Sequence, residues 1–271
     1  MADREVVVLS GVRTAIGDYG ASLKGFGATD LGAMVLEEAI KRSGVEAGKI
    51  GHGVIGNVVH GEAKDMYVSR VACVNGGMSH DSQALTVNRL CGSGLQAIVS
   101  AAQMVMLGDA DFAIGGGAES MSKAAYASTT ARWGARMGDT GMVDMMVGAL
   151  TDPFDTVHMG ITAENVAEKW GLSRDDQDAF SVESHQRAAR AIAEGRFKDQ
   201  ILPVTLKSRK GDTIFDTDEH VRGDITAEGL AKLRAVFKKD GSVTAGNASG
   251  INDGAAAVVL AEAGAAAAAG A

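Results

Sequence analysis

The segment Asn88-Arg89-Leu90-Cys91-Gly92-Ser93-Gly94-Leu95 sits where one kind of periodicity gives way to another. Before it, Ala84–Asn88 reads as a strand. After it, Leu95, Ile98, Val99, Ala102 and Met106 recur at helical spacing, so a helix is expected from about Gly92 to Leu107 with that set facing inward. Cys91 therefore lies at a helix N-terminus, where unpaired N–H groups and the helix dipole favour negative charge and the reactive thiolate. Gly92 and Gly94 keep the approach free of side chains, and the N–H of Cys91 or its neighbour can help hold an oxyanion. A buried structural cysteine is the commoner fate of this residue type. The residues alone leave both readings open. Cys73, on a helix expected over Asp65–Val74, reads as core.

Working outward, strands and helices alternate. Glu5–Ser10 reads as a buried strand. Asp30–Ser43 reads as a helix with Gly32, Val35, Leu36, Ala39 and Ile40 on one face, Thr29 or Asp30 at its cap and Gly44 at its end. Val54–Val59 and Asp111–Ile114 read as further strands. This βαβ order predicts an α/β fold, a mixed, mainly parallel sheet covered by helices. Gly115-Gly116-Gly117 lacks the full dinucleotide pattern and a following helix, and a close backbone approach beneath the active site explains it better.

Residues 123–160 read as a long Gly- and Met-rich loop of the kind used in assembly or ligand binding. Ser173 and Asp176 form a capping-box start for a helix to about Ala193 that stops at Gly195. Ile201–Leu206 reads as a strand, and Thr226 caps a short helix through Leu233. The strand-and-helix pattern resumes at Ala245. Gly264–Ala271 can begin a helix. The sequence shows no internal repeat.

Composition narrows the function. With 271 residues and a net charge of −8, the chain can bury a large core and is a poor general partner for nucleic acid. Two cysteines are too few for a disulfide framework, and no metal-ligand spacing occurs. The N-terminus lacks the pattern of a signal peptide, and no apolar run is expected to reach membrane-spanning length. A reducing cytoplasm is the expected location, with no membrane partner.

Several blocks together resemble the thiolase family. They are Asn88–Gly94 with Gly115–Ser122; His158-Met159-Gly160 followed by Thr162-Ala163-Glu164-Asn165; and Thr244–Gly254. Their order and spacing match from about Arg4 to Leu260, and the closest likeness is to bacterial biosynthetic β-ketothiolases, the acetyl-CoA acetyltransferases. The resemblance implies the thiolase fold, with 1–121 and 245–271 as the N-terminal domain and 122–244 as an inserted loop domain. It implies a ping-pong reaction in which Cys91 takes an acyl group from acyl-CoA and a second acyl-CoA carbanion collects it, or the reverse thiolysis.

By the same resemblance, His158 contacts the pantetheine arm with Met159 and Leu150 beside it. Ser249 and Ala245 lie along that arm, and Arg222 and Phe237 lie near the adenine end. Without the resemblance, His158 reads as a structural histidine, Arg222 as a solvated charge and Phe237 as core. His185 and His220 match no catalytic motif and read as solvated. Lys207–Lys210 can attract the phosphates of coenzyme A or be a solvated loop. Family members often carry Pro at Ala235 and Ser at Gly229.

Coenzyme A enters as substrate and product, with no tightly bound cofactor and no metal. A homo-oligomer, tetramer or dimer, is implied, with 123–145 resembling the tetramerisation loop. A complete thiolase also brings a Gly-His-Pro histidine, an Asn-Glu-Ala-Phe asparagine and a Cys-x-Gly-Gly-Gly cysteine, and none of these motifs occurs here. The chain is thus expected to be a fragment lacking the C-terminal thiolase domain, and its activity alone is in question. The other readings are a non-catalytic acyl-CoA-binding or assembly subunit, and a β-ketoacyl synthase-like enzyme, whose cysteine context differs.

Overall fold

The computed structural model describes residues 4–271. Met1-Ala2-Asp3, part of the N-terminal reading above, lies outside the described residues. In chain order the strands are β1 (Val6–Thr14), β2 (Gly17–Asp18), β3 (Ile50–Gly56), β4 (Gln83–Val87), β5 (Phe112–Ser120), β6 (Tyr126–Ala127), β7 (Val143–Asp144), β8 (Ile201–Leu202), β9 (Val204–Leu206), β10 (Thr213–Phe215) and β11 (Asn252–Glu262). The helices are α1 (Ala28–Ser43), α2 (Val68–Asn75), α3 (Ser93–Leu107), α4 (Met145–Ala149), α5 (Met159–Trp170), α6 (Arg174–Ala193), α7 (Ala227–Ala231) and α8 (Ala263–Ala269).

The chain divides into two compact units. The first comprises residues up to Ala125 with Gln200–Asp218 and Asn252–Ala271. Its sheet runs β4-β3-β5-β11-β1-β8, with β2 on the end of β11. β3 is parallel to β4 and β5, and β1 to β8. β11 lies antiparallel to β5, β1 and β2, so it alone runs against the others. This is the mixed, mainly parallel sheet read from the sequence. The segment 200–218 differs from the expected division, which placed it in 122–244. Parallel pairing of β8 with β1 draws it into the sheet unit, and so does the Arg13 guanidinium, which grips Asp218 at 2.7 and 3.0 Å.

Helices α1 and α2 cover one face. Leu31, Val35, Leu36, Ala39 and Ile40 of α1 are buried, each large side chain contributing about 2 kcal/mol. The N-cap is Gly27, whose N–H donates to the Asp30 carboxylate at 2.9 Å, so Asp30 is the inner partner of the cap rather than the cap itself. Gly44 closes the helix at φ +73°.

Helix α3 covers the other face, and its inward side differs from expectation. Ala97, Ala101 and Val105 are buried with Val54, Ala113 and Leu260, whereas Leu95, Val99 and Met106 are exposed. The reason is the closeness of helix and strand. A Cβ on Gly115 would stand 2.7 Å from the Ile98 Cα, so only small side chains fit between them. Leu95, Val99 and Met106 therefore point outward, while Ile98 and Ala102 still pack against the core. Contrary to the expectation for apolar runs, Leu90–Leu107, 18 residues, is long and apolar enough to cross a membrane by length and composition. Its inner stripe is packed on the sheet.

In the second unit, Tyr126–Asp199 with Glu219–Ile251, the regular structure is mostly helix. The expected loop 123–160 contains the short β6–β7 hairpin and α4, capped by the Asp144 carboxylate. Ser173 and Asp176 form the expected capping box of α6. Thr226 caps α7 by accepting from Gly229 N–H at 3.1 Å. The strand expected over Ile201–Leu206 is broken at Pro203 into β8 and β9, and the pattern expected from Ala245 resumes only at Asn252.

Candidate functional site

Cys91 lies in the first unit, and the other seven candidate residues lie in the second. Cys91 is exposed, and it precedes Gly92, the N-cap of α3. The turn that presents it is held by local polar contacts. Leu90 takes φ +47°, a left-handed conformation that a leucine rarely adopts. Leu90 N–H donates to the Asn88 side-chain oxygen at 2.9 Å. The Ser93 hydroxyl accepts from Arg89 N–H at 2.8 Å and donates to the Leu90 carbonyl at 2.6 Å. Beneath, a Cβ on Gly56 would lie 2.5 Å from the Ser93 carbonyl carbon, and one on Gly117 would lie 3.2 Å from the Gly94 Cα. Glycine at the end of β3 and within β5 thus lets the helix start rest directly on the sheet. The glycine run is a close approach, as read from the sequence.

Cys73 behaves as the core residue it was read as. It is fully buried, and burial pushes its thiol up to about 12, which keeps it protonated and inert.

Beside Gly56, the chain carries a half-buried carboxylate that sequence reasoning missed. Glu119 accepts from Val58 N–H, Val59 N–H and the Asn57 side-chain amide at 2.9 to 3.0 Å. Burial pushes its carboxyl above the usual range against the pull of those hydrogen bonds. Glu119 holds the turn that leaves β3, a job that leaves no periodic signal.

In the second unit the residues gather around the start of α5. His158 is its N-cap, and its Nδ1 accepts from Gly160 N–H at 3.0 Å. In the neutral ring the proton then sits on Nε2, leaving that atom as a donor. Phe237 stacks on the imidazole with centroids 4.8 Å apart and planes 15° from parallel. Gly160 makes this possible, because a Cβ there would enter the Phe237 ring. Leu150 joins the group through its carbonyl, which accepts from Met159 N–H at 2.8 Å. The sequence reading of Phe237 as core or adenine-side is sharpened: it is half-buried and holds His158.

Ala245 and Ser249 are exposed on the loop that follows Val243. That loop is fixed by residues the sequence did not single out for this role. Glu164 of α5, only 4% exposed, accepts from Ser242 N–H, Val243 N–H and the Ser242 hydroxyl at 2.8 to 3.0 Å. Burial opposes its charge, but those hydrogen bonds more than offset it and hold the carboxyl below the usual range. Asn247 donates to Asp178 at 2.9 Å and to the Ser242 carbonyl at 3.0 Å, and accepts from Thr244 N–H at 2.7 Å. Arg174 then ties Asp178 at 2.7 Å to the carbonyls of Leu230 and Leu233.

Arg222 is exposed, and its N–H donates to His185 Nδ1 at 3.1 Å. His185 and His220, read as solvated, are half-buried with ring centroids 5.9 Å apart. Burial and the nearby His220 and Arg222 push the His185 imidazole below its usual range. No cluster of three or more metal-ligating side chains occurs among the described residues.

Comparison with known proteins bears on the family of the chain. Residues 6–264 match the family described as thiolase, N-terminal domain. The chain is 63% identical over 260 residues to beta-ketothiolase BktB of Cupriavidus necator, covering 96% of this chain and 66% of that protein. It is 50% identical over 262 residues to an acetyl-CoA acetyltransferase of Syntrophomonas wolfei, covering 95% and 65%. The chain thus spans just under two thirds of the length of these relatives. Among solved structures, the Bacillus anthracis acetyl-CoA acetyltransferase superposes with a TM-score of 0.96 at 41% identity, over 99% of this chain and 68% of that one. A human mitochondrial 3-ketoacyl-CoA thiolase in complex with CoA gives 0.92 at 39% identity, over 97% and 66%.

Proposed function

The chain belongs to the thiolase family, and from that premise we propose that it transfers acyl groups between coenzyme A thioesters through Cys91, as an acetyl-CoA C-acetyltransferase. The observation that carries the proposal is the exposed Cys91 thiol on a stapled left-handed turn at the start of α3. In this reading the Cys91 thiolate attacks the thioester carbonyl carbon. The oxygen charge that develops faces the N–H groups at the helix start. The carbon–sulfur bond to coenzyme A breaks, coenzyme A leaves as a thiol after taking up a proton, and the acyl group stays on Sγ. A second acyl-CoA, having lost a proton from its α-carbon, attacks that acyl carbon and frees the cysteine. Two acetyl-CoA thus give acetoacetyl-CoA and coenzyme A.

Binding of coenzyme A by residues of the second unit is part of the same proposal. His158 Nε2 donates to the pantetheine arm, Met159 and Leu150 flank it, and Ala245 and Ser249 line it. Phe237 and Arg222 serve the adenine end. A relative crystallised with CoA supports this ligand class. A homotetramer is part of the proposal, supported by the exposed Trp133, Met137 and Met142. So is a cytoplasmic location, where a reducing poise keeps the Cys91 thiol free.

Isotope exchange tests the chemistry. Labelled coenzyme A mixed with acetyl-CoA and the chain is expected to yield labelled acetyl-CoA, and Cys91→Ala is expected to abolish the exchange. Exchange at an undiminished rate in Cys91→Ala would sink the proposal.

A further inference from the structure

We infer that Ser93 is a positioning residue for Cys91: its hydroxyl holds Leu90 in the left-handed conformation that presents the thiol. The inference rests on the reading of Cys91 as nucleophile. Among the described residues, Leu90, Thr156 and Asp240 are the non-glycine positions with positive φ, and Leu90 has no polar side chain to bond its own backbone. Such a conformation persists only where its surroundings over-determine it.

Here the determinants are visible. The Leu90 carbonyl accepts from both the Ser93 hydroxyl at 2.6 Å and Ser93 N–H at 2.9 Å. The Leu90 N–H is taken by Asn88 at 2.9 Å. The same Ser93 hydroxyl accepts from Arg89 N–H at 2.8 Å, so it closes the turn from both sides of Leu90. Ser93 is 4% exposed, and its backbone is pressed against Gly56, so it has little room to shift. Ser93 does not touch the reacting atoms. It fixes where the Cys91 sulfur stands relative to the N-terminus of α3.

The test compares the unaltered chain with Ser93→Ala, with Leu90→Gly in the Ser93→Ala background, and with Asn88→Ala. Asn88 is exposed, so its variant leaves the buried core untouched. The readouts are the maximal rate of Cys91 acetylation, the half-saturating acetyl-CoA concentration and the pH midpoint of Cys91 alkylation by iodoacetamide.

Ser93→Ala is expected to lower the maximal rate about tenfold with the other two readouts unchanged. Asn88→Ala should show a smaller loss of the same kind. Leu90→Gly should restore most of the rate lost in Ser93→Ala, because glycine adopts positive φ without cost. An unchanged rate in Ser93→Ala overturns the inference, as does failure of Leu90→Gly to restore it. A shift of the alkylation midpoint that accounts for the whole loss also overturns it, since the hydroxyl would then act on the thiolate's charge. If the unaltered chain is not acetylated, the proposed function fails instead. A crystal structure of Ser93→Ala then decides the positioning claim: Leu90 at negative φ supports it, and Leu90 still near +47° overturns it.

Discussion

At the scale of single residues, the account turns on small atoms in tight places. Gly160 is one. Any side chain there must displace the Phe237 ring from His158, and forced overpacking of this kind costs about 1–3 kcal/mol. Gly160→Ala is expected to weaken coenzyme A binding about tenfold by titration calorimetry, roughly 1.4 kcal/mol, while the chain still unfolds cooperatively. Unchanged affinity would remove Phe237 and His158 from the ligand cradle. The positions of Cys91 before a helix start and of His158 before another were legible in the sequence, because each stands in a recognisable local block. Glu119, Glu164 and Asn247 were not read as fixing the loops beside them. Their hydrogen bonds reach residues such as Val58, Ser242 and Asp178, some 60 to 80 positions away for most, and such long-range clamps leave no periodic trace.

At the scale of elements, the sequence showed that α1 and α3 exist and where they end, and it showed the inner face of α1. It read the inner face of α3 only in part: Ile98 and Ala102 pack against the core, while Leu95, Val99 and Met106 do not. Leu95, Val99 and Met106 follow helical spacing, and large apolar residues ordinarily mark the inside. The glycines of β3 and β5 bring the helix too close for them, so alanine lines the contact. Periodicity reports that a face is apolar. It does not say how near the neighbour lies. Gly56→Ala tests this closeness. Its Cβ meets backbone, which cannot rotate away, so α3 must lift from the sheet. Loss of about 1–3 kcal/mol in urea denaturation is expected, together with slower labelling of Cys91. A variant as stable as the parent would show that the helix start is not seated on β3.

At the scale of the whole molecule, the polar clamp between Arg13 and Asp218 shows how a segment distant in sequence joins the sheet unit. Asp218 also accepts from Ile16 N–H at 2.8 Å. Burial alone would raise its carboxyl, but Arg13 and that N–H more than offset this and hold it below the usual carboxylate range. A carboxylate lowered in the folded state stabilises above its unfolded value, near 3.9, and loses that contribution as pH falls through the folded value. Asp218→Ala should cost about 1–2 kcal/mol at pH 7 by urea denaturation, the loss of charge-assisted hydrogen bonds in a partly buried pair. The gap to the parent should shrink below about pH 4 and close at lower pH. A gap independent of pH would mean that Asp218 acts by packing rather than charge.

The sequence carried the family and the sheet class. The extra strand pair β8–β1 and the polar clamps became visible only once the chain was folded. The central claim remains that Cys91 accepts an acyl group, and the most direct measurement is peptide mass analysis of the chain after incubation with acetyl-CoA. An acetyl group on the peptide carrying Cys91, discharged on adding free coenzyme A, is the predicted result. Unmodified Cys91 in a chain that still binds coenzyme A would contradict the account and leave a binding module.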